Sequence, residues 1–345
     1  MIPLCIMPAR RREILALLDE FKRLEIGEQI DYQKFYLYSI ITHSTAIEGS
    51  TVTEIENQLL FDEGISASGR SMMEQFMNLD LKAAYEQSLK YAQTQEPITK
   101  QLLCGLSAMV MKNTGSQYKT PVGDFDASRG DLRLLNVSAG IQGPSYLNYQ
   151  KVPGRLDAFC DWLNAERKNI GNDKIDAYDL SFRAHFRLVS IHPWADGNGR
   201  MSRLLMNQLQ WENGLIPTIV YKEHKANYIE SLSRAREEEN EDIFCDFMFS
   251  ELQYFLTQSI NNFKRGNQQD VHVNVHVNVH VNLSSRQKEI LSLLRENPSL
   301  TLVELAFQLN VNEKTIRRDL TLLRQQGLVL REGSDKKGLW RVVTE

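Results

Sequence analysis

One run of twelve residues, His192-Pro193-Trp194-Ala195-Asp196-Gly197-Asn198-Gly199-Arg200-Met201-Ser202-Arg203, constrains the fold more than any other part of the chain. The stretch from Ile175 to Ser190 before it has helical apolar spacing, and His192 closes that stretch. Asp196-Gly197-Asn198-Gly199 reads as a tight turn, and Leu204, Leu205 and Leu209 carry a second helix from Gly199 to Glu212. A glycine-rich turn entering a helix leaves backbone N–H groups free, and these attract an anion together with the positive end of the helix dipole. Arg200 and Arg203, three apart, occupy neighbouring positions on one helix face. Guanidinium forks match phosphate oxygens, so the run predicts a polyphosphate site.

His192 and Asp196 add chemistry to that site. A histidine near its free pKa takes a proton from a hydroxyl at neutral pH. Asp196 is a candidate ligand for one Mg²⁺, with phosphate oxygens and waters completing its octahedron. Each piece alone has a structural reading: a histidine before proline, a surface turn, two solvated arginines. Their concentration in one run favours a nucleotide site. The sequence holds neither a Gly-x4-Gly-Lys-Ser/Thr loop nor a strand-linked GxGxxG, so the P-loop and dinucleotide-fold readings lack their signatures.

The rest of the body reads as helices. Ile14, Leu15, Leu17, Leu18, Phe21 and Leu24 share a face, and further helices are predicted over 35–47, 73–91, 97–111, 152–164, 224–237 and 241–263. Gly49 fits a C-terminal cap for the second of these. Residues 113–150, punctuated by five glycines, read as loop with a hairpin, and Leu132–Val137 is the main β-favouring run.

The central run resembles the His-Pro-Phe-x-(Asp/Glu)-Gly-Asn-Gly-Arg-x-x-Arg signature of the Fic family, with Trp194 in the phenylalanine place. Ala184-His185-Phe186 and Ile191 resemble that family's lead-in helix, and the similarity covers about residues 35–260. The resemblance implies a mainly helical fold and transfer of AMP from ATP to a Ser, Thr or Tyr hydroxyl of a target protein, self-modification included. It makes His192 the general base and Asp196 the holder of Mg²⁺. It also makes Gly197, Asn198 and Gly199 a phosphate cradle, with Arg200 and Arg203 at the β/γ end. Residues 131–146 fall where the family has a flap that aligns the target side chain. Gly130-Asp131-Leu132-Arg133 keeps that flap's glycine and arginine but has leucine in the aromatic place, and Pro144 and Tyr146 are also similar. Tyr228 resembles a tyrosine near the nucleoside; its structural reading is a core aromatic beside Ile229 and Leu232.

Ser44-Thr45-Ala46-Ile47-Glu48-Gly49 resembles the family's inhibitory motif. Ser44 and Glu48 are four apart and share a helix face. The resemblance implies that Glu48 pairs with Arg203 and keeps it from the γ-phosphate. In some relatives the same glutamate positions water to remove AMP, and the two roles stay open in the sequence.

The last module begins near 283. Helices are expected over 285–295, 301–309 and 313–326, then two strands, 328–331 and 339–343, around a Gly/Lys-rich turn. Thr301 and Glu304 form a capping-box pattern. That order resembles a winged helix-turn-helix, with Lys314, Thr315, Arg317 and Arg318 on the recognition helix and Lys336 and Lys337 on the wing. DNA binding and protein interaction are both open to it. Residues 283–345 hold 11 Lys/Arg and 8 Asp/Glu, whereas the remainder holds 29 and 36, so a net +3 tail follows a −7 body. Between them, residues 264–270 read as a linker, and a Val-His-Val-Asn repeat runs through Asn282 with strand alternation. His272, His276 and His280 would stand roughly 13 Å apart on one strand face, too far to share an ion, so pairing with another strand is the favoured use, and a homodimer is one way to supply that strand.

The expected architecture is therefore mainly α. It comprises an N-terminal helical region with the inhibitory motif (1–95), a helical core with a β-hairpin flap (96–263), the linker and repeat (264–282), and a small α/β winged-helix domain (283–345). Four cysteines without metal spacing, no apolar leader and no membrane-length apolar run point to the cytoplasm. A DNA-binding regulator that senses nucleotide, or an enzyme moving another phosphate-containing group, are the rival functions.

Overall fold

The computed structural model describes residues 8–139, 143–171, 173–269, 285–309, 311–325, 329–332 and 339–342. Two compact units divide at Phe263 and Lys264. Ten helices belong to the first stretch: α1 (Pro8–Arg23), α2 (Tyr32–Ile47), α3 (Glu54–Asp62), α4 (Met72–Thr94), α5 (Lys100–Val110), α6 (Val152–Asn169), α7 (Lys174–Ile191), α8 (Asn198–Glu212), α9 (Lys225–Glu237) and α10 (Asp242–Gln269). Among the described residues no helix is long and apolar enough to cross a membrane.

α7 and α8 form the centre of the unit, and nearly every residue of α8 from Met201 to Gln210 is buried. Such a helix cannot be amphipathic, and its polar side chains must find partners inside. Tyr85 Oη on α4 donates to Asn207 Oδ1 at 2.9 Å, and Ser88 Oγ donates to Gln208 Oε1 at 2.9 Å. Gln210 bonds Ser181 on α7 and Thr218. Arg183 on α7 reaches Glu241 and Asp242, which ties the start of α10 to the same centre. α1 contributes Ile14, Leu18 and Phe21 to the continuous apolar core. The N-terminal helices therefore pack into the same core as the histidine loop.

α3 is absent from the sequence expectations, although Thr53 and Glu56 form a reciprocal capping box that marks its start. Its role is to carry Asn57 inward. Asn57 Nδ2 donates to Asn78 Oδ1 on α4 at 2.9 Å and to Thr42 Oγ1 at 2.8 Å. Asn78 Oδ1 also accepts from Thr45 Oγ1, while Asn78 Nδ2 donates to Ser50 Oγ and the Glu74 carbonyl. This buried polar knot fixes the last turn of α2 from two sides. Gly49 follows with φ 104°, a left-handed position that ends α2 as expected.

Residues 113–150 hold two hairpin elements in place of the expected strand at 132–137. β1 (Gln117–Thr120) pairs antiparallel with β2 (Gly123–Asp126), and Tyr118 stacks on Phe125 with centroids 4.8 Å apart. Ser138 and Ser145 form an isolated antiparallel bridge. The Leu132–Val137 run forms no named strand: Arg133 N–H donates to the Pro193 carbonyl at 3.1 Å, and at the far end the Val137 carbonyl accepts from Tyr146 N–H at 3.0 Å beside the Ser138–Ser145 bridge. Residues 264–269, expected as linker, continue α10. The Val-His repeat lies outside the described residues.

In the second unit, α11 (Ser285–Glu296), α12 (Leu302–Gln308) and α13 (Glu313–Gln325) precede an antiparallel hairpin of β3 (Val329–Glu332) and β4 (Leu339–Val342). Its own apolar core runs from Ile290 to Trp340. Trp340 Nε1 donates to the Leu300 carbonyl at 3.1 Å and its N–H to Pro298, which pins the hairpin to the helices. The capping box at Thr301 is formed as expected.

Replacing Asn78 with Ala leaves an Asn57 Nδ2 donor unmet in a buried site, whereas Thr45 keeps the Ile41 carbonyl, at a cost of about 1–3 kcal/mol. Calorimetry of Asn78→Ala should show a melting point lowered by several degrees. An unchanged melting point would mean that the knot does not hold α2.

Candidate active site: a histidine loop beside a helix N-terminus

His192 caps α7 in the left-handed region, φ 53° and ψ 61°. A β-carbon in that region costs about 1–2 kcal/mol, and Pro193 behind it adds restriction. The surroundings impose the conformation. His192 N–H closes the helix on Leu188, and its carbonyl accepts from Arg133 Nε at 2.7 Å. Arg133 also donates to the carbonyls of Leu135 and Leu147, so one buried guanidinium joins the histidine loop to both arms of the 131–147 segment. The ring of His192 points Nδ1 at the Val189 carbonyl, 3.3 Å away. A carbonyl only accepts, so Nδ1 carries the proton and Nε2 presents a lone pair. Burial pushes the His192 pKa down to about 4, with Arg133 and Arg236 adding to the effect and Asp196 opposing it. The ring is neutral at physiological pH.

The turn after it folds on its own side chains. Trp194 is fully buried and donates Nε1–H to the Gly130 carbonyl at 3.1 Å, an indole wedge beneath the loop. Asn198 clasps the same loop: Oδ1 accepts from Trp194 N–H at 3.0 Å, and Nδ2 donates to the Trp194 carbonyl at 2.9 Å. The Asn198 side chain thus shapes the turn. Gly197 has φ 78°, and a Cβ there would stand 2.7 Å from Met111 Sδ, so glycine is required twice over. Asp196 is largely exposed, and Oδ1 accepts the Gly197 N–H at 2.6 Å.

Arg200 and Arg203 are both buried but differ in partners. Arg203 Nε donates to Ser44 Oγ at 2.9 Å, Nη2 to the Ser44 carbonyl at 3.0 Å and to Glu48 Oε1 at 2.6 Å, and Nη1 to Tyr228 Oη at 3.1 Å. Tyr228 Oη passes on to His185 Nε2 at 3.0 Å. Tyr228 is buried among Phe244, Phe247 and His185, so it reaches the site only through Arg203. Among the described residues the polar partners of Arg200 are Met111 Sδ at 3.2 Å and Asp196 Oδ2 at 3.6 Å. Its Nε and Nη1 are buried with no hydrogen-bond partner among the described residues. A desolvated cation with idle donors is costly until an anion arrives.

Glu48 shows what such an anion would touch. A Cβ on Gly199 would stand 2.6 Å from Glu48 Oε1, so this carboxylate already rests on the first turn of α8. Burial opposes its ionisation, but the Arg203 charge and hydrogen bond prevail, and its pKa is lowered. A carboxylate oxygen therefore lies against the α8 N-terminus, held by Arg203. Among the described residues no three His, Cys, Asp or Glu side chains gather as a metal site. Asp196 alone fits a hard cation that takes its other oxygens from phosphate and water.

Lys314, Arg317 and Arg318 are exposed on α13, away from any part of the histidine site in sequence. Thr315 is occupied locally: its hydroxyl donates to Asn312 Oδ1 at 3.0 Å. Lys336 and Lys337 lie outside the described residues.

The fold and this geometry define an α-helical protein with a glycine-turn helix N-terminus and two buried arginines beside a buried, neutral histidine. Residues 97–210 match the Fic/DOC family and residues 286–332 match a DeoR-like helix-turn-helix domain. The chain carries a Fic domain followed by a DeoR-like helix-turn-helix domain. It is 31% identical over 224 residues to the protein adenylyltransferase Fic of Culex quinquefasciatus, covering 64% of this chain and 41% of that protein. It is 28% identical over 249 residues to that of Drosophila grimshawi, covering 66% and 47%. The chain thus spans less than half the length of these two curated relatives. A Fic domain containing signaling protein from Bacteroides thetaiotaomicron superposes with TM-score 0.58 at 22% identity, covering 73% of this chain and 98% of that one. A Fic family protein from Desulfovibrio desulfuricans gives TM-score 0.55 at 18% identity over 99% and 97%. At these identities the two structures establish the fold.

Inorganic pyrophosphate should raise the melting temperature, since a ligand at 100 times its Kd adds about 2.7 kcal/mol. The shift should vanish in Arg200→Ala. An equal shift in that variant would place the anion elsewhere.

Proposed function

We propose that the protein transfers AMP from ATP to a Ser, Thr or Tyr hydroxyl of a protein, and that Glu48 holds the enzyme in check. The curated relatives carry the name protein adenylyltransferase. The observation that carries the reading is the unequal pairing of two buried arginines: Arg203 is engaged by Ser44 and Glu48, while Arg200 has idle donors.

In this reading the α8 N-terminus and Arg200 take the α- and β-phosphates, and Arg203 takes the γ-phosphate once Glu48 withdraws. The target hydroxyl loses its proton to His192 Nε2. Its oxygen bonds to the α-phosphorus as the α–β bridging P–O bond breaks, and pyrophosphate leaves. Oriented donors and charge supply most of the stabilisation, as in phosphoryl transfer generally. Asp196 would hold Mg²⁺, which supplies charge neutralisation on the phosphates. The enzyme's own side chains are included among the targets. Cytoplasmic location and a homodimer paired through residues 271–282 complete the reading; the cysteine pattern and the strand-like repeat support them.

A second reading uses the same residues in reverse. In it Glu48, part-exposed and ionised, would orient water toward an AMP-modified side chain. DNA is the proposed partner of the C-terminal domain, supported by the DeoR-like match and by exposed Lys314, Arg317 and Arg318.

Incubation with α-labelled ATP and Mg²⁺ tests the proposal. Glu48→Gly should incorporate at least about tenfold more protein-bound label than the parent, and His192→Ala in that background should incorporate almost none, since general-base removal costs about 10²–10⁴-fold. Glu48→Gly no more active than the parent would remove the brake. Release of AMP from a modified target by the parent, lost in Glu48→Gly, would favour the reverse reaction.

The acidic limb of kcat/KM reports the free enzyme and should fall near pH 4, below the usual histidine value. A His192 pKa lowered on folding also means that the unfolded chain binds more protons between the two values. This group's contribution to stability therefore rises with pH through that window. A limb near 6.5 would show that the ring is not buried as described.

A further inference from the structure

The 131–147 segment lays an aromatic ring on the catalytic histidine. Tyr146 and His192 stack with centroids 3.8 Å apart and planes 20° from parallel. Tyr146 is held by its own backbone, whose N–H donates to the Val137 carbonyl at 3.0 Å beside the Ser138–Ser145 bridge. Arg236 near the end of α9 also lies over the Tyr146 ring, 4.9 Å from its centroid, with Nε anchored on the Leu232 carbonyl.

His192 needs this help. Among the described residues, its one hydrogen bond through the ring is the 3.3 Å contact of Nδ1 with Val189. The second torsion of a histidine is broad and two-fold, so one long bond leaves the ring free to rock or flip. A flip would swap each ring nitrogen with a ring carbon and carry the Nε2 lone pair away from the target hydroxyl. A flat neighbour on the ring face opposes both motions and leaves the ring edge, where the Nε2 lone pair lies, open to a hydroxyl.

We propose that Tyr146 is a positioning residue for His192, acting through its ring face and not through its hydroxyl. The inference rests on the proposed role of His192 as base. The same contact shields one face of the imidazole from water. The groups that act on His192 are Arg133 from the start of the segment, Arg236 from α9, Asp196 from the turn and the Val189 carbonyl from α7. Arg133 binds the carbonyls of both His192 and Leu147, the residue after Tyr146, so a single guanidinium sets the two rings relative to one another. Arg236 opens a route by which a change in α9 reaches the base through Tyr146.

The test places Tyr146→Ala, Tyr146→Leu and Tyr146→Phe in the Glu48→Gly background. Ala and Leu should lower kcat by about 10–100-fold, the loss expected from a misplaced reacting group, with KM for ATP unchanged; Phe should stay near the background. Leu keeps bulk without a flat ring and covers the case in which Ala fails to fold. NMR titration of the His192 ring, assigned with His192→Ala, should show its pKa rising in Ala toward the ordinary histidine value and staying low in Phe. This second readout needs no turnover. If the background enzyme transfers no label but the titration responds as stated, the functional reading fails and the stack stands. Ala with background kcat, Phe as weak as Ala, or a titration that ignores the substitution would each overturn the proposal.

Discussion

Every unfilled donor on a buried guanidinium is costly, and Arg203 is buried at the heart of this molecule. Four hydrogen bonds meet that demand, to Ser44 twice, Glu48 and Tyr228. Three of them come from the last turn of α2, which explains why that turn is itself so firmly held. Asn57 on α3 and Asn78 on α4 close around it, and Tyr85 and Ser88 on α4 hold α8. The helices of the N-terminal region thus meet on one cation. Any anion that recruits Arg203 must offer as much as Glu48 and Ser44 give it.

Arg133 solves a second problem of the same kind. The histidine loop must be rigid although it contains a strained His192 and a glycine turn. Arg133 gathers the carbonyls of His192, Leu135 and Leu147, while Trp194 fills the space beneath and Asn198 closes the turn. The strain at His192 is sustained by neighbours that are over-determined, as expected where geometry serves a site. The flap-like segment and the histidine loop are therefore parts of one assembly, joined also by the stack of Tyr146 on His192.

Helices were legible where one face is apolar. The sequence expectations for α1, α2, α4 to α9 and the three helices of the C-terminal unit lie within a few residues of those observed. α3 is short, half-exposed and polar inside, and only its capping box marks it. The 132–137 run misled for a different reason. β-favouring residues state what a segment tolerates, and Arg133 instead takes that backbone to the Pro193 carbonyl. Residues 264–269 are polar enough for a linker, yet they extend α10 without a break. Asn78 carried a usable signal: with Gln75, Leu81 and Tyr85 it falls on the buried face of α4, and a polar residue there needs a partner.

By itself the sequence determined the chemistry at hand: a histidine before proline, a glycine turn, two arginines three apart, and a glutamate four residues beyond a serine. Those are local features, and local spacing decides which side chains share a loop or a helix face. Which guanidinium is occupied and which is idle was decided only by tertiary structure, because Ser44 and Glu48 reach Arg203 across more than 150 residues of chain. Tyr228 shows the same limit. Its helical position made nucleoside contact and core packing equally consistent, and packing beneath Arg203 places its hydroxyl between that arginine and His185. Tyr146, an ordinary tyrosine in a loop, acquires its place on His192 only when Arg133 draws the two backbones together, since stacking depends on distance in space and not on separation in sequence.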